Sequence, residues 1–125
     1  MREARCLFNP CLYHDVIYLC GSGSQIMEAF SPRSGAFLPL NISVPENHYC
    51  CVYVNDDKLV VHSYSYILKY SLSQANQLAE VSRTQAPALD KWQNSQPIVN
   101  TAQKLVYIGQ NESIVVFNMD TGAKV

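Results

Sequence analysis

The sequence predicts an all-β fold assembled from about three copies of one antiparallel unit. Three observations predict it. Apolar runs are short and rich in Val, Ile and Tyr, without helical spacing. Turn-forming residues interrupt them at close intervals. The chain also repeats itself: an apolar strand, a small polar turn, a second apolar strand ending in an aromatic, then a turn and a further apolar residue. The copies carry strands at 16–20 and 26–30, at 59–62 and 66–70, and at 105–108 and 114–117. Phe30, Tyr70 and Phe117 mark the register, 40 and 47 residues apart. A strand-built repeat of roughly 40–50 residues is the period of a β-propeller blade. The expected fold is therefore a partial β-propeller of about three four-stranded antiparallel blades, covering approximately 5–42, 48–83 and 96–125.

In chain order, the first unit offers Cys6-Leu7-Phe8 as a strand, a turn near Asn9-Pro10 within a longer loop, and a second strand from Val16. Phe30 leads through Ser31-Pro32-Arg33-Ser34-Gly35 to a fourth strand at Ala36-Phe37-Leu38. A polar connector occupies 41–48. The second unit opens on Val52-Tyr53-Val54, turns at Asn55-Asp56-Asp57 and returns over 58–61. Asn and Asp tolerate turn backbone angles, and β-branched residues flank them. Its last turn, 71–76, leads to Gln77-Leu78-Ala79. A second connector, 84–96, holds a short helical turn at 86–92. The third unit has Ile98-Val99, a turn at 100–103, a strand from Lys104, and a closing turn at 118–122 before a fourth strand at Ala123-Lys124-Val125. Gly35, Asn76 and Gly122 stand where such turns need positive φ.

Composition narrows the function classes. At 125 residues with 48% hydrophobic content, the chain has enough apolar side chain for one packed domain. Net charge is −1 and the nine basic residues are scattered, so nothing neutralises a nucleic-acid backbone. No window approaches the roughly 18 apolar residues of a membrane span. Five cysteines, an odd number, without a secretory leader read as small apolar residues in a reduced, cytoplasmic protein.

Candidate chemistry is thin. Asp120-Thr121-Gly122, after Val115-Val116-Phe117, matches the aspartic-protease signature in letters, but too little sheet follows it, and a β-turn is the preferred reading. His14, His48 and His62 follow no metal-ligand spacing. His62 reads as a half-buried packing residue at a strand end. Cys11 and His14 are near in sequence, but no orienting group or oxyanion hole accompanies them. The Gly21-Ser22-Gly23-Ser24 turn precedes a strand, so the helix N-terminus of a phosphate cradle is missing. The sequence thus offers no cofactor or metal site.

The strand, glycine-containing turn, aromatic-ended strand and spaced hydrophobic resemble the kelch repeat. Phe30 and Phe37 match its aromatic pair, with Phe37 where kelch units carry Trp. Tyr70 with Leu78, and Phe117 with Val125, match more loosely. The glycine doublet of kelch units is reduced to Gly21-Ser22-Gly23 in the first copy and Gly109-Gln110 in the third, and is absent from the second. The resemblance implies a propeller that binds proteins through loops on one face. The corresponding residues here are Ser22, Gly23 and Ser24; Ser63 and Tyr64; and Gln110, Asn111 and Glu112. The expected function is a non-enzymatic protein-interaction scaffold. The alternatives are a piece of a propeller enzyme, for which the inner-strand residues Cys51, Tyr53, Ile98 and Asn100 are poorly suited, or an incomplete product with no function of its own. Kelch propellers close rings of more blades than three, so the chain reads as part of a longer propeller or, second, as half of a ring of two copies. Open sheet edges favour self-association.

Overall fold

A computed structural model describes residues 9–20, 26–44, 50–63, 66–74, 77–85, 98–110 and 113–125. Eleven strands appear among them: β1 (Asn9–Tyr13), β2 (Val16–Cys20), β3 (Ile26–Ser31), β4 (Ala36–Ser43), β5 (Cys50–Asn55), β6 (Lys58–Ser63), β7 (Tyr66–Leu72), β8 (Leu78–Gln85), β9 (Ile98–Asn100), β10 (Leu105–Gln110) and β11 (Ser113–Asn118). They form three antiparallel meanders, β1-β2-β3-β4, β5-β6-β7-β8 and β9-β10-β11, none closed on itself.

The hairpins follow from turn chemistry. Tyr13 pairs with Val16 and Asn55 with Lys58, leaving two-residue turns. His14 and Asp15 have φ of 48° and 63°, and Asp56 and Asp57 have 51° and 57°. Positive φ at both positions is the type I′ turn, whose twist matches that of the flanking strands. The turn expected at Asn9-Pro10 is thus corrected: both residues lie in β1, and the turn falls at His14-Asp15. Proline fits there because, among the described residues, β1 is an edge strand that pairs only with β2. The strand expected at 6–8, the positive-φ position assigned to Asn76 and the helical turn at 86–92 lie outside the described residues. Both connectors are shorter than expected, since β4 runs to Ser43 and β8 to Gln85. The fourth strand expected at 123–125 shrinks to one bridge, Phe117 to Lys124, beside a Val125 N–H bond to the Val116 carbonyl (2.8 Å).

The repeat is real in register. Phe30, Tyr70 and Phe117 each pair with the second residue of the preceding strand, namely Ile17, Leu59 and Val106. The turns after them also correspond. Gly35 donates to the Ser31 carbonyl and Gly122 to the Asn118 carbonyl, both at 2.8 Å, with φ of 69° and 70°. Their surroundings differ. A Cβ on Gly35 would meet open space, whereas one on Gly122 would overlap the Ile67 side chain of β7. Gly35→Ala should therefore cost only the left-handed backbone penalty, about 1–2 kcal/mol. Gly122→Ala should cost about 1–3 kcal/mol more, the usual scale of overpacking. Urea midpoints of the two variants check the order.

Two apolar cores form on opposite faces of the middle sheet. The first joins Tyr18, Met27 and Ala29 of the first sheet to Leu59, Val61, Leu68 and Tyr70 of the second. The other joins Tyr53, Val60 and Ile67 of the second sheet to Val106, Ile108, Val115 and Phe117 of the third. Successive strand residues point to opposite faces, so Val60 and Val61 serve different cores, and β6 is buried from Leu59 to Ser63. The sheets stack in chain order, with β1 packed against β5. The outer strand β8 is exposed beyond Leu78 and carries an ion pair, Arg83 to Glu80 at 2.8 Å. Charge on an edge strand opposes further pairing.

Candidate functional site

Side-chain hydrogen bonds between the described sheets gather at one end of the stack, where first strands turn into second strands. The turn of each sheet reaches the turn of the next. His14 Nε2 lies 2.8 Å from Asp57 Oδ1, and the Tyr13 hydroxyl donates to the Asp57 carbonyl at 2.7 Å. From the middle sheet, Asp56 Oδ1 accepts from Lys104 Nζ at 2.7 Å. Asn55, buried at the end of β5, accepts from Lys104 Nζ at 2.8 Å and donates to Asp120 Oδ1 at 3.1 Å. Asn118 Oδ1 fixes the last turn by accepting from the N–H groups of Asp120 and Thr121, each at 2.9 Å. The hydrogen bond and charge of Lys104 hold the Asp56 carboxyl below its usual range, and Asp56 raises Lys104 in turn. The first turn residue of one sheet thus meets the last turn residue of the next, twice over.

This arrangement joins neighbouring sheets. Asp120 of the Asp-Thr-Gly segment lies in the turn before Gly122, hydrogen-bonded to Asn55. Cys11 and His14 form no nucleophile pair. His14 is engaged by Asp57, and burial pushes the Cys11 thiol up to about 11, so it stays protonated at neutral pH. His62 is more buried than expected: it is 1% exposed, its ring meets Phe117 edge-on at 4.9 Å, and burial pushes its imidazole down to about 4. Among the described residues no group of three His, Cys, Asp or Glu side chains is placed to hold a metal, and no helix is long and apolar enough to cross a membrane.

The residues expected to contact partners belong to the connections between second and third strands. Ser22, Gly23, Ser24, Tyr64, Asn111 and Glu112 lie outside the described residues. Ser63 closes β6. It is buried, and its hydroxyl donates to the Tyr66 carbonyl and accepts from the Tyr66 N–H, both at 3.0 Å. It pins the base of its loop. Gln110 ends β10 and pairs with Ser113. In a meander, successive connections alternate between the two ends of the sheet. The flanking strand ends, Cys20 and Ile26, Ser63 and Tyr66, and Gln110 and Ser113, therefore share the end opposite the His14-Asp57-Lys104 relay.

Sequence reasoning missed the relay. Its signal was the recurrence of charge at equivalent turn positions, Asp15, Asp57 and Lys104, which becomes visible only once the hairpin turns are aligned. Sequence reasoning also missed two apolar outer faces. On the first sheet, Leu12 is 62% exposed, and Phe37 packs edge-on against Phe30 at 5.2 Å beside a groove of about 300 Å³ lined by Glu28, Phe37, Leu38 and Pro39. On the third, Ile98 and Ile114 are 71% and 69% exposed. Comparison with protein-family models and with curated proteins gave no match.

Proposed function

We propose that the chain forms three consecutive blades of a β-propeller, kelch-like in its repeat, and serves as a non-enzymatic protein-interaction scaffold. The observation that carries this reading is the middle sheet, buried on both faces by its neighbours in chain order. Face-to-face stacking of consecutive meanders is what a propeller requires. With the middle sheet committed to two cores, the second-to-third-strand loops are the connections that this reading assigns to recognition. Small and polar residues there, with Tyr64 as an aromatic anchor, suit a protein surface.

The test is affinity capture with the intact chain, followed by binding of the identified partner in purified form. Tyr64→Ala and Glu112→Lys are expected to weaken that binding at least tenfold. Ser34→Ala, at the opposite end, should leave it unchanged. Equal loss in all three, or in none, removes the loop end from the account.

A further inference from the structure

The register aromatics align the three sheets residue by residue. Their partners are Ile17, Leu59 and Val106. Three residues further along the second strand stand Cys20 in the first sheet, His62 in the second and Gly109 in the third. Cys20 is fully buried in the core between the first and second sheets. His62 is 1% exposed between the second and third, where its ring meets Phe117. The contacts correspond as well. Burial, then Glu80 and Cys20, raise the hydroxyl of Tyr70, which is the register aromatic of its sheet as Phe117 is of the third. Each junction thus carries a side chain at the same place beside the same kind of neighbour. One is a thiol and the other a base.

The core that His62 enters is built of Val60, Ile67, Val106, Ile108 and Val115 with Phe117. Its cross-strand partners are Cys51 and Ile67. The other titratable and charged groups on this side are Tyr53 of β5, Lys58 of β6 itself, Lys69 of β7, and Lys104 and Asp120 beside β10 and β11. The described carboxylates of this junction, Asp56 and Asp120, are held at the relay end by Lys104 and Asn55. β6 starts from that end at Lys58, about 13 Å of strand away from His62. Burial alone is what pushes the imidazole down to about 4.

We propose that the second junction is an acid-operated latch: a proton on His62 parts the third sheet from the second, while the first junction, with Cys20 in the same position, stays closed. A charged imidazole needs hydration. The closed core withholds water from it, and parting the sheets restores it. A thiol carries no charge in acid, so nothing at that position drives the first junction apart. Opening uncovers Val60 and Ile67 on the second sheet and Val106 and Phe117 on the third, apolar surface that the protein hides at neutral pH. The latch needs only the stacked sheets, whatever the chain binds.

The experiment is a urea titration of the full chain at pH 7 and at pH 4.5, followed through the methyl signals of each core. Val60, Ile108 and Val115 report the second junction, and Leu59, Val61 and Leu68 the first. The imidazole titrates at about 4 when the junction is closed and at 6.5 in water. The open-to-closed ratio of the second junction should therefore rise on the order of 50-fold between the two conditions. The second-core midpoint should fall in acid while the first-core midpoint stays in place. His62→Leu should hold the second-core midpoint nearly constant with pH. So should His62→Cys, which gives the second junction the side chain of the first, and either variant suffices. Two midpoints that fall together overturn the proposal, because the sheets then unfold as one unit. A second-core midpoint that does not fall in acid, or that falls equally in the variants, overturns it too. Methyl contacts from Val60 into β10 and β11 at pH 7 show separately that the junction is closed before acid is added.

Discussion

Replacing Phe117 with alanine is expected to destabilise the protein by about 3–5 kcal/mol, the range for truncating a fully buried Phe. Phe117 is fully buried, pairs with Val106, packs among Val60, Ile67 and Ile108, and meets the His62 ring. A domain of this size has roughly 5–15 kcal/mol in total, so the loss takes a large share of it. The damage should also be local. The two cores lie on opposite faces of the middle sheet and share no residue, and stacked repeats contribute nearly independent interface terms. Amide exchange should accelerate most in β9, β10 and β11 while β1 to β4 keep most of their protection. Uniform acceleration would mean that the three sheets unfold as one unit.

Acidification should weaken the fold through His62. The folded imidazole titrates near 4 because burial disfavours its charged form, against 6.5 for an ordinary histidine. Between those values the unfolded chain binds a proton that the folded chain does not. Stability is thus complete above 6.5 and falls as the pH drops toward 4. The gap corresponds to about 3 kcal/mol. Asp56 acts in the same direction only lower down, since its depressed carboxyl loses its contribution below its ordinary value of 3.8. Urea titrations across the window from 6.5 to 4 should show the loss, and His62→Leu should flatten it. An unchanged slope in that variant would mean that another group is responsible.

Much of the architecture was written in the chain. The aromatics at 30, 70 and 117 gave the repeat because each occupies the same pairing position, and Asn55-Asp56-Asp57 gave its hairpin because few residues tolerate two consecutive positive φ angles. The first hairpin was misplaced because Pro10 reads as a turn residue until β1 is known to be an edge strand. The depth of His62 was hidden because alternation names the face of a strand but not what covers it. Met27, Ile67 and Ile114 are interchangeable in the sequence, and only the stacking distinguishes the two that are covered from the one that is not. The relay of turns was illegible for a similar reason: His14 and Asp57 are far apart in the chain and meet only through the docking of two sheets. The loop residues around Ser22, Tyr64 and Asn111 rest on position in the repeat alone.

The stacking of the three sheets is the premise of both proposals, and methyl-resolved NOE spectroscopy of Val60 and Val61 tests it most directly. These neighbours in β6 should report different sheets: Val61 should contact core residues of β2 and β3, and Val60 those of β10 and β11. Contacts from both valines to a single sheet, or from Val60 to neither outer sheet, would contradict the account.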